Sequence, residues 1–250
     1  MGFSLDLFFL FFLIALFYAS VGFGGGSSYL AILSLFGIDF LLLRSTALLC
    51  NITVVGSGTY MFNKHQLINW PKVLPLIICS IPMAYLGGSI SIIENVFFVT
   101  LGLALILAAM LMLWQIFSQI KPITKPYSNK IVNGIIGCSI GFFSGMIGIG
   151  GGIFLAPVLH FMQWDEPKMI AATASIFILL NAIAGLAGQF TNPNFTFNFQ
   201  FVLPLIVAVF AGGQIGTRLN IIHFKPNTVK ILTAVLIAFV GARILLKYAM

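Results

Sequence analysis

Eight long apolar stretches, separated by short polar gaps, take up most of this 250-residue chain. A helix needs about 20 mostly apolar residues to cross the hydrocarbon core of a bilayer, and most of the stretches have about that length. Only 7% of the residues are charged, whereas an ordinary soluble domain has roughly 25%. The pattern therefore predicts an all-α membrane protein with many crossings. The stretches are 5–37, 45–62, 73–90, 96–117, 131–161, 169–190, 201–219 and 229–246.

The first and fifth stretches are the longest, and glycines interrupt both of them. Residues Gly22–Gly26 read G-F-G-G-G, and residues Gly148–Gly152 read G-I-G-G-G. Glycine costs about 1 kcal/mol relative to alanine inside a helix, so three in a row are expected to open it. The sequence predicts that each stretch is broken at its glycine run and that a helix restarts there.

Further landmarks follow the two glycine runs in the same order. The tetrapeptide S-T-A-L at Ser45 matches A-T-A-S at Ala172, and L-P-L-I occurs at both Leu74 and Leu203. Broken hydrophobic segments at matching positions of two halves are typical of secondary transporters. We therefore expect two four-segment repeats, inverted relative to each other. The repeats are 1–120 and 131–250, with a linker at 121–130.

A broken helix in a membrane is stable only inside protein or beside a water-filled cavity, because unpaired amides in lipid cost several kcal/mol each. A helix that restarts there points free N–H groups and the positive end of its dipole at the cavity, which favours an anion. The glycine runs and nearby polar residues are therefore the predicted site. Its members are Gly22, Gly24, Gly25, Gly26, Ser27, Ser28, Thr46, Cys50, Asn51, Gly148, Gly150, Gly151, Gly152, Thr173, Ser175 and Asn181.

The same glycines also have a purely structural interpretation. Gly22 and Gly26, like Gly148 and Gly152, have the G-x-x-x-G spacing that lets helices pack closely. Buried polar side chains also join helices by hydrogen bonds. The occurrence of the run in both halves favours a path over packing. Asn51 and Asn181 are the strongest polar candidates, because they fall near each other when the halves are aligned.

The charged and metal-binding residue types exclude several classes of function. All five acidic residues lie at segment ends, so no carboxylate is available in mid-span for a proton relay. The three cysteines are isolated within apolar stretches, which predicts neither a disulfide framework nor a zinc site. We expect no metal and no cofactor. An enzyme would need a nucleophile with its base or a metal cluster among the spans, and a nucleic-acid-binding protein would need a basic stripe. We expect neither.

The paired glycine runs, the Thr-Ala positions and the Leu-Pro-Leu segments resemble those of the sulfite exporter TauE/SafE family of membrane permeases. The second run, from Gly148 to Pro157, is especially similar to the family pattern, whereas the first run has Ser27 and Ser28 in place of apolar residues. The resemblance covers nearly the whole chain and implies a cell-membrane permease for small sulfur-containing anions such as sulfite, thiosulfate and sulfonates. By the same resemblance, Cys50 is a candidate for lining the path. An uncoupled anion or solute channel is the alternative.

The distribution of basic residues predicts an orientation. If the first and fifth stretches enter and leave by the same side, nine basic residues share one side and three share the other; if all eight stretches cross, the division is seven to five. Cytoplasmic loops carry the excess of Lys and Arg, so the first arrangement is favoured, with the termini outside. Its three outer basic residues are Arg44, Arg243 and Lys247.

Overall fold

The computed structural model describes residues 5–20, 22–117, 129–193, 195, 197–222 and 226–248. Over these residues the chain forms ten helices and no strand. The helices are α1 (Leu5–Ala19), α2 (Gly26–Leu35), α3 (Phe40–Lys64), α4 (Trp70–Ser89), α5 (Glu94–Phe117), α6 (Lys130–Ile147), α7 (Gly152–Phe161), α8 (Pro167–Gln189), α9 (Phe199–Ile222) and α10 (Pro226–Tyr248).

Six helices in the described part of the chain, namely α3, α4, α5, α6, α8 and α9, are long and apolar enough to cross a membrane. The first apolar stretch of the sequence forms α1 and the short helix α2, and the fifth forms α6 and the short helix α7. Both interruptions fall at the glycine runs. Of the predicted linker 121–130, residues 121–128 lie outside the described residues.

Two long helices begin at side-chain caps. The Asp39 carboxylate accepts hydrogen bonds from the backbone N–H groups of Leu41 and Leu42, at 3.0 and 3.3 Å, and so starts α3. The Asn129 side chain does the same for the first turn of α6. Such caps satisfy amides that have no partner within the helix. Both cap residues are exposed, as expected for helix ends at the surface of a bilayer.

The helices pack through small residues. Gly137, Gly141 and Gly145 on α6 lie against the carbonyl groups of Leu76, Ser80 and Ala84 on α4. Along this contact the residue numbers increase in the same direction on both helices, so α4 and α6 are parallel. The equivalent contact of Gly212 and Gly216 on α9 with Phe12 and Leu16 shows that α1 and α9 also run together. This close approach is the packing that G-x-x-x-G spacing permits.

The central helices α3 and α8 run in opposite directions. The hydroxyls of Thr59 and Ser175 lie 3.1 Å apart near one end of this pair, and Gly185 contacts Leu48 towards the other end. Helix α9 runs with α3, since Val54 contacts Gly213 and Gly58 contacts Thr217. Helices α1, α3 and α9 therefore share one direction, and α4, α6 and α8 share the opposite one.

These directions make each broken stretch a hairpin. Helix α1 runs with α3, and the first glycine run then lies beside Asn51, near the middle of α3. From there α2 must return, because residues 36–39 connect its end to the start of α3. In the same way α7 returns to the start of α8 through residues 162–166. The face with connections 65–69 and 162–166 is called the upper face, and the face with 36–39 and 90–93 the lower face.

Candidate functional site

Each glycine run ends in a residue that turns the chain into a new helix. Gly25, immediately before α2, has φ 87°, and Gly151, immediately before α7, has φ 86°. This left-handed conformation is open to glycine at no steric cost and is strained for other residue types. The runs are therefore built for sharp reversals inside the protein, where all of their described residues are buried.

The two glycine runs meet at Asn51. The Asn51 side chain is fully buried, and its Nδ2 donates a hydrogen bond to the carbonyl oxygen of Ile149 at 2.8 Å. Gly24 and Gly26 face the same amide from the first run, and Gly150 faces it from the second. A Cβ atom on Gly26 would overlap Nδ2 of Asn51 and would lie 2.6 Å from the Ile149 oxygen. Only glycine fits at this contact.

The amino-terminal ends of α2 and α7 lie next to this contact. Helix α2 begins at Gly26, which touches Asn51, and α7 begins two residues after Gly150. No side chain caps either helix start. The first N–H groups of a helix lack partners within it and carry the positive end of the helix dipole. A helix start of this kind favours a negative ligand.

The first run also brings several hydroxyl groups together. The Tyr18 hydroxyl lies 2.6 Å from Oγ of Ser28 and 3.4 Å from Oγ of Ser27, and all three side chains are buried. The Tyr29 hydroxyl is buried beside Gly25 without a hydrogen-bond partner. The predicted donors Ser27 and Ser28 are thus held by Tyr18, a residue that sequence reasoning did not select.

The remaining predicted residues divide between the helices around the contact. Cys50 is buried next to Asn51, and the Thr46 hydroxyl donates to Leu42 of its own helix at 2.6 Å. Gly22 packs on Ala171, and Gly148 packs on the backbone of Arg44. The first residues of the two runs therefore pack on α8 and α3 rather than on the Asn51 amide.

The polar residues of α8 lie at helix interfaces. Ser175 contacts Thr59 of α3, while Nδ2 of Asn181 donates to Oγ of Ser80 on α4 at 3.0 Å and to the Phe177 carbonyl at 2.8 Å. The Thr173 hydroxyl is buried without a partner. Asn181 therefore does not occupy the place that Asn51 has in the first half. Ile178 does, since it is the residue of α8 that faces Gly150 and Gly152.

Arg44 is a buried cation that sequence reasoning placed only as a charge at a segment end. It is 1% exposed, and its guanidinium donates to the Met146 carbonyl oxygen at 2.8 Å. The ring of Phe97 lies 5.7 Å from the guanidinium carbon. The repeat contained a signal for this residue, because Arg44 immediately precedes the S-T-A-L landmark and its counterpart in the second half is the uncharged Ala171.

The described carboxylates lie away from the glycine runs. Asp165 forms an ion pair with Lys72 at 2.9 Å near the upper face, and Asp6, Asp39, Glu94 and Glu166 are exposed. Among the described residues no cluster of His, Cys, Asp or Glu has the composition of a metal site. The largely apolar cleft of about 370 Å³ between α5, α6 and α7 lacks charged residues, so it does not offer an anion-binding surface.

The chain is similar to known membrane transporters along nearly its full length. A family model described as Sulfite exporter TauE/SafE matches residues 7–244. The probable membrane transporter protein y4hK of Sinorhizobium fredii is 36% identical over 241 residues, which cover 94% of this chain and 95% of that protein. The probable membrane transporter protein YunE of Bacillus subtilis is 24% identical, with 80% and 79% of the two chains covered. No solved structure matches the chain.

Proposed function

Because the chain belongs to the sulfite exporter TauE/SafE family of multi-pass membrane transporters, we propose that it moves small sulfur-containing anions across the membrane. The proposed substrates are sulfite, thiosulfate and sulfonates. The proposed path passes between the two glycine runs. The observation that carries this proposal is the meeting of two glycine runs, each of which leads into an uncapped helix start, at the buried Asn51 amide.

The electrostatics at this contact support an anionic substrate. Helix starts offer backbone N–H donors and positive dipole ends, and glycine leaves those donors open to a ligand. Half-helices that enter from opposite faces and point their amino-terminal ends at mid-membrane are a recurring device of transporters. Asn51 fills the contact in this structure, so the path opens when the runs separate around it.

We also propose that residues 1–120 and 131–250 are inverted repeats. Corresponding contacts support this: Gly87 of α4 packs on Phe142 of α6, and Gly216 of α9 packs on Leu16 of α1. Corresponding helices run in opposite directions, as α1 and α6 do, and as α3 and α8 do. In a carrier built from two inverted halves, each half can take up the conformation of the other. A central site is then exposed alternately to the two sides of the membrane.

The basic residues support an orientation with the upper face in the cytoplasm. Six basic residues belong to helix ends at the upper face, namely Lys64, Lys72, Lys130, Lys168, Arg218 and Lys230. Three belong to helix ends at the lower face, namely Arg44, Arg243 and Lys247. Lys121, Lys125 and Lys225 lie outside the described residues. The excess of positive charge marks the cytoplasmic side.

Purified protein in liposomes should take up sulfite, thiosulfate or a short alkyl sulfonate in a saturable manner, and should not take up potassium at a comparable rate. The reason is that positive helix ends at the proposed site attract anions and repel cations. Protein-free liposomes are the control for leakage. A panel in which none of the sulfur anions moves would contradict the proposal.

The same liposomes separate the carrier from the alternative of an uncoupled channel. A carrier that exposes its site alternately should accelerate uptake of labelled anion when unlabelled anion is inside, which is counterflow. A channel should instead give flux that follows the membrane potential without counterflow. An anion gains about 2.3 kcal/mol per charge on leaving a cell with a negative interior of 100 mV, so a channel would favour export.

A further inference from the structure

Arg44 carries a positive charge into the protein without a carboxylate to balance it. Its side chain is 1% exposed, and within the described part of the chain the one ion pair is that of Lys72 with Asp165. Arginine is almost never fully buried unless it is paired, because removing its charge from water is costly. A buried guanidinium without an anionic partner is therefore a functional feature by default in a membrane protein.

The hydrogen bonding of Arg44 is incomplete. One terminal nitrogen donates to the Met146 carbonyl oxygen, while Nε is buried with no partner at all. A guanidinium has five N–H donors in a planar fork that matches the oxygens of an oxyanion. The guanidinium therefore has an unused donor and an unbalanced charge, and its further contact is with the ring of Phe97. An anion bound here would satisfy the donor and balance the charge.

The position of Arg44 connects it to the proposed path. Met146 is in the last turn of α6, and Gly148, the first residue of the second run, packs on the Arg44 backbone and Cβ. Arg44 lies one turn into α3, near the lower face, while Asn51 lies near mid-helix. The second run extends from Gly148 beside Arg44 to Gly150 beside Asn51, so it joins the two residues.

We propose that Arg44 is the cationic residue that binds the sulfur oxyanion at the lower-face end of the path. This inference rests on the proposed function, and it adds the group that recognises the substrate's charge. The guanidinium binds the anion at the lower end of the path through charge-assisted hydrogen bonds, and backbone N–H groups bind it further along, where the glycine runs meet. The second half has the uncharged Ala171 at the corresponding position. The path therefore has this cationic binding group at its lower-face end and no counterpart from the second repeat.

A structural role for Arg44 makes a different prediction. Cationic side chains near a helix end stabilise its last carbonyl groups, and Arg44 does contact such a carbonyl at Met146. Glutamine at this position has no charge, and its amide nitrogen reaches only to the place of Nε, so the contact of the terminal nitrogen with Met146 is lost as well. Lysine keeps the charge but loses the fork. Loss of a cap lowers only the stability, whereas loss of an anion-binding group also changes the KM and the stabilisation by the anion.

In proteoliposomes, Arg44→Gln should raise the KM for sulfite at least about tenfold, because the lost interaction is a hydrogen bond to a charged group. Arg44→Lys should give an intermediate KM. Arg243→Gln removes the same charge from an exposed residue at the same face and should leave the KM unchanged. Sulfite should raise the thermal stability of the wild-type protein in detergent, and this shift should be lost in Arg44→Gln.

The outcomes distinguish the inference from the proposed function. If the wild type transports sulfite and Arg44→Gln keeps its KM and its sulfite-dependent stabilisation, Arg44 is a helix cap and only the inference is wrong. If Arg44→Gln does not fold, Arg44→Lys decides, and a wild-type KM in that variant overturns the inference. If the wild type moves no anion of the panel, the proposed function and the inference both fail.

Discussion

Replacing Gly26 with alanine should reduce anion transport to the rate of protein-free liposomes while the protein remains folded in the membrane. The added methyl group would overlap the Asn51 amide and would lie 2.6 Å from the Ile149 carbonyl oxygen, at the point where the two glycine runs meet. Overpacking of this kind costs about 1–3 kcal/mol, which lowers stability without preventing folding. The proposed path, however, would lose the space through which an anion reaches the helix starts.

Gly56→Ala is the matched control for this substitution. Gly56 lies on α3 five residues after Asn51, and an added Cβ would meet nothing nearer than a Leu179 methyl group at 4.0 Å. Alanine also favours a helix over glycine by about 1 kcal/mol. Gly56→Ala should therefore transport at the wild-type rate. Sulfonate uptake per mole of reconstituted protein is the measurement, and normal uptake by Gly26→Ala would exclude the contact as the path.

Asn51→Asp should make transport fall as the pH rises. Aspartate has almost the shape of asparagine, and its protonated form can still donate a hydrogen bond to the Ile149 carbonyl, as Asn51 does at 2.8 Å. At low pH the carboxyl group is protonated and neutral. As the pH rises it loses its proton, becomes negative and repels an anion from the path.

Uptake of an alkyl sulfonate measured across a pH series tests this, because a sulfonate keeps its charge throughout the range. Asn63→Asp is the control, since Asn63 lies on the same helix but is exposed and accepts its hydrogen bond from Trp70 through an oxygen that aspartate retains. The control should follow the wild-type pH profile. A wild-type profile for Asn51→Asp as well would show that Asn51 only joins helices.

The helix interruptions could be predicted from the sequence because their cause is local. Three successive glycines weaken a helix wherever they occur, and α2 and α7 do begin at Gly26 and Gly152. The ten helices follow from the eight apolar stretches once the first and fifth are divided at these runs. Local composition is sufficient for such statements, because the backbone has no other way to satisfy its hydrogen bonds in lipid.

The partners of the polar residues could not be predicted in the same way, because they depend on which helices become neighbours. Asn51 and Asn181 look equivalent in sequence, yet Asn51 bonds the second glycine run and Asn181 bonds Ser80 on α4. Arg44 has the sequence position of an interfacial charge, but α6 ends against it and buries it. The spacing of residues in the sequence does not show which helix will face a given side chain.

The central claim is that an anion binds where the two glycine runs meet, and the location of a bound substrate analogue tests it most directly. Selenite has the shape and charge of sulfite, and its selenium atom scatters X-rays anomalously. In crystals of the protein soaked with selenite, the strongest anomalous peak should lie within hydrogen-bonding distance of the backbone amides at the starts of α2 and α7, beside Asn51. A selenite that binds away from both glycine runs, in a protein that transports it, would contradict the account.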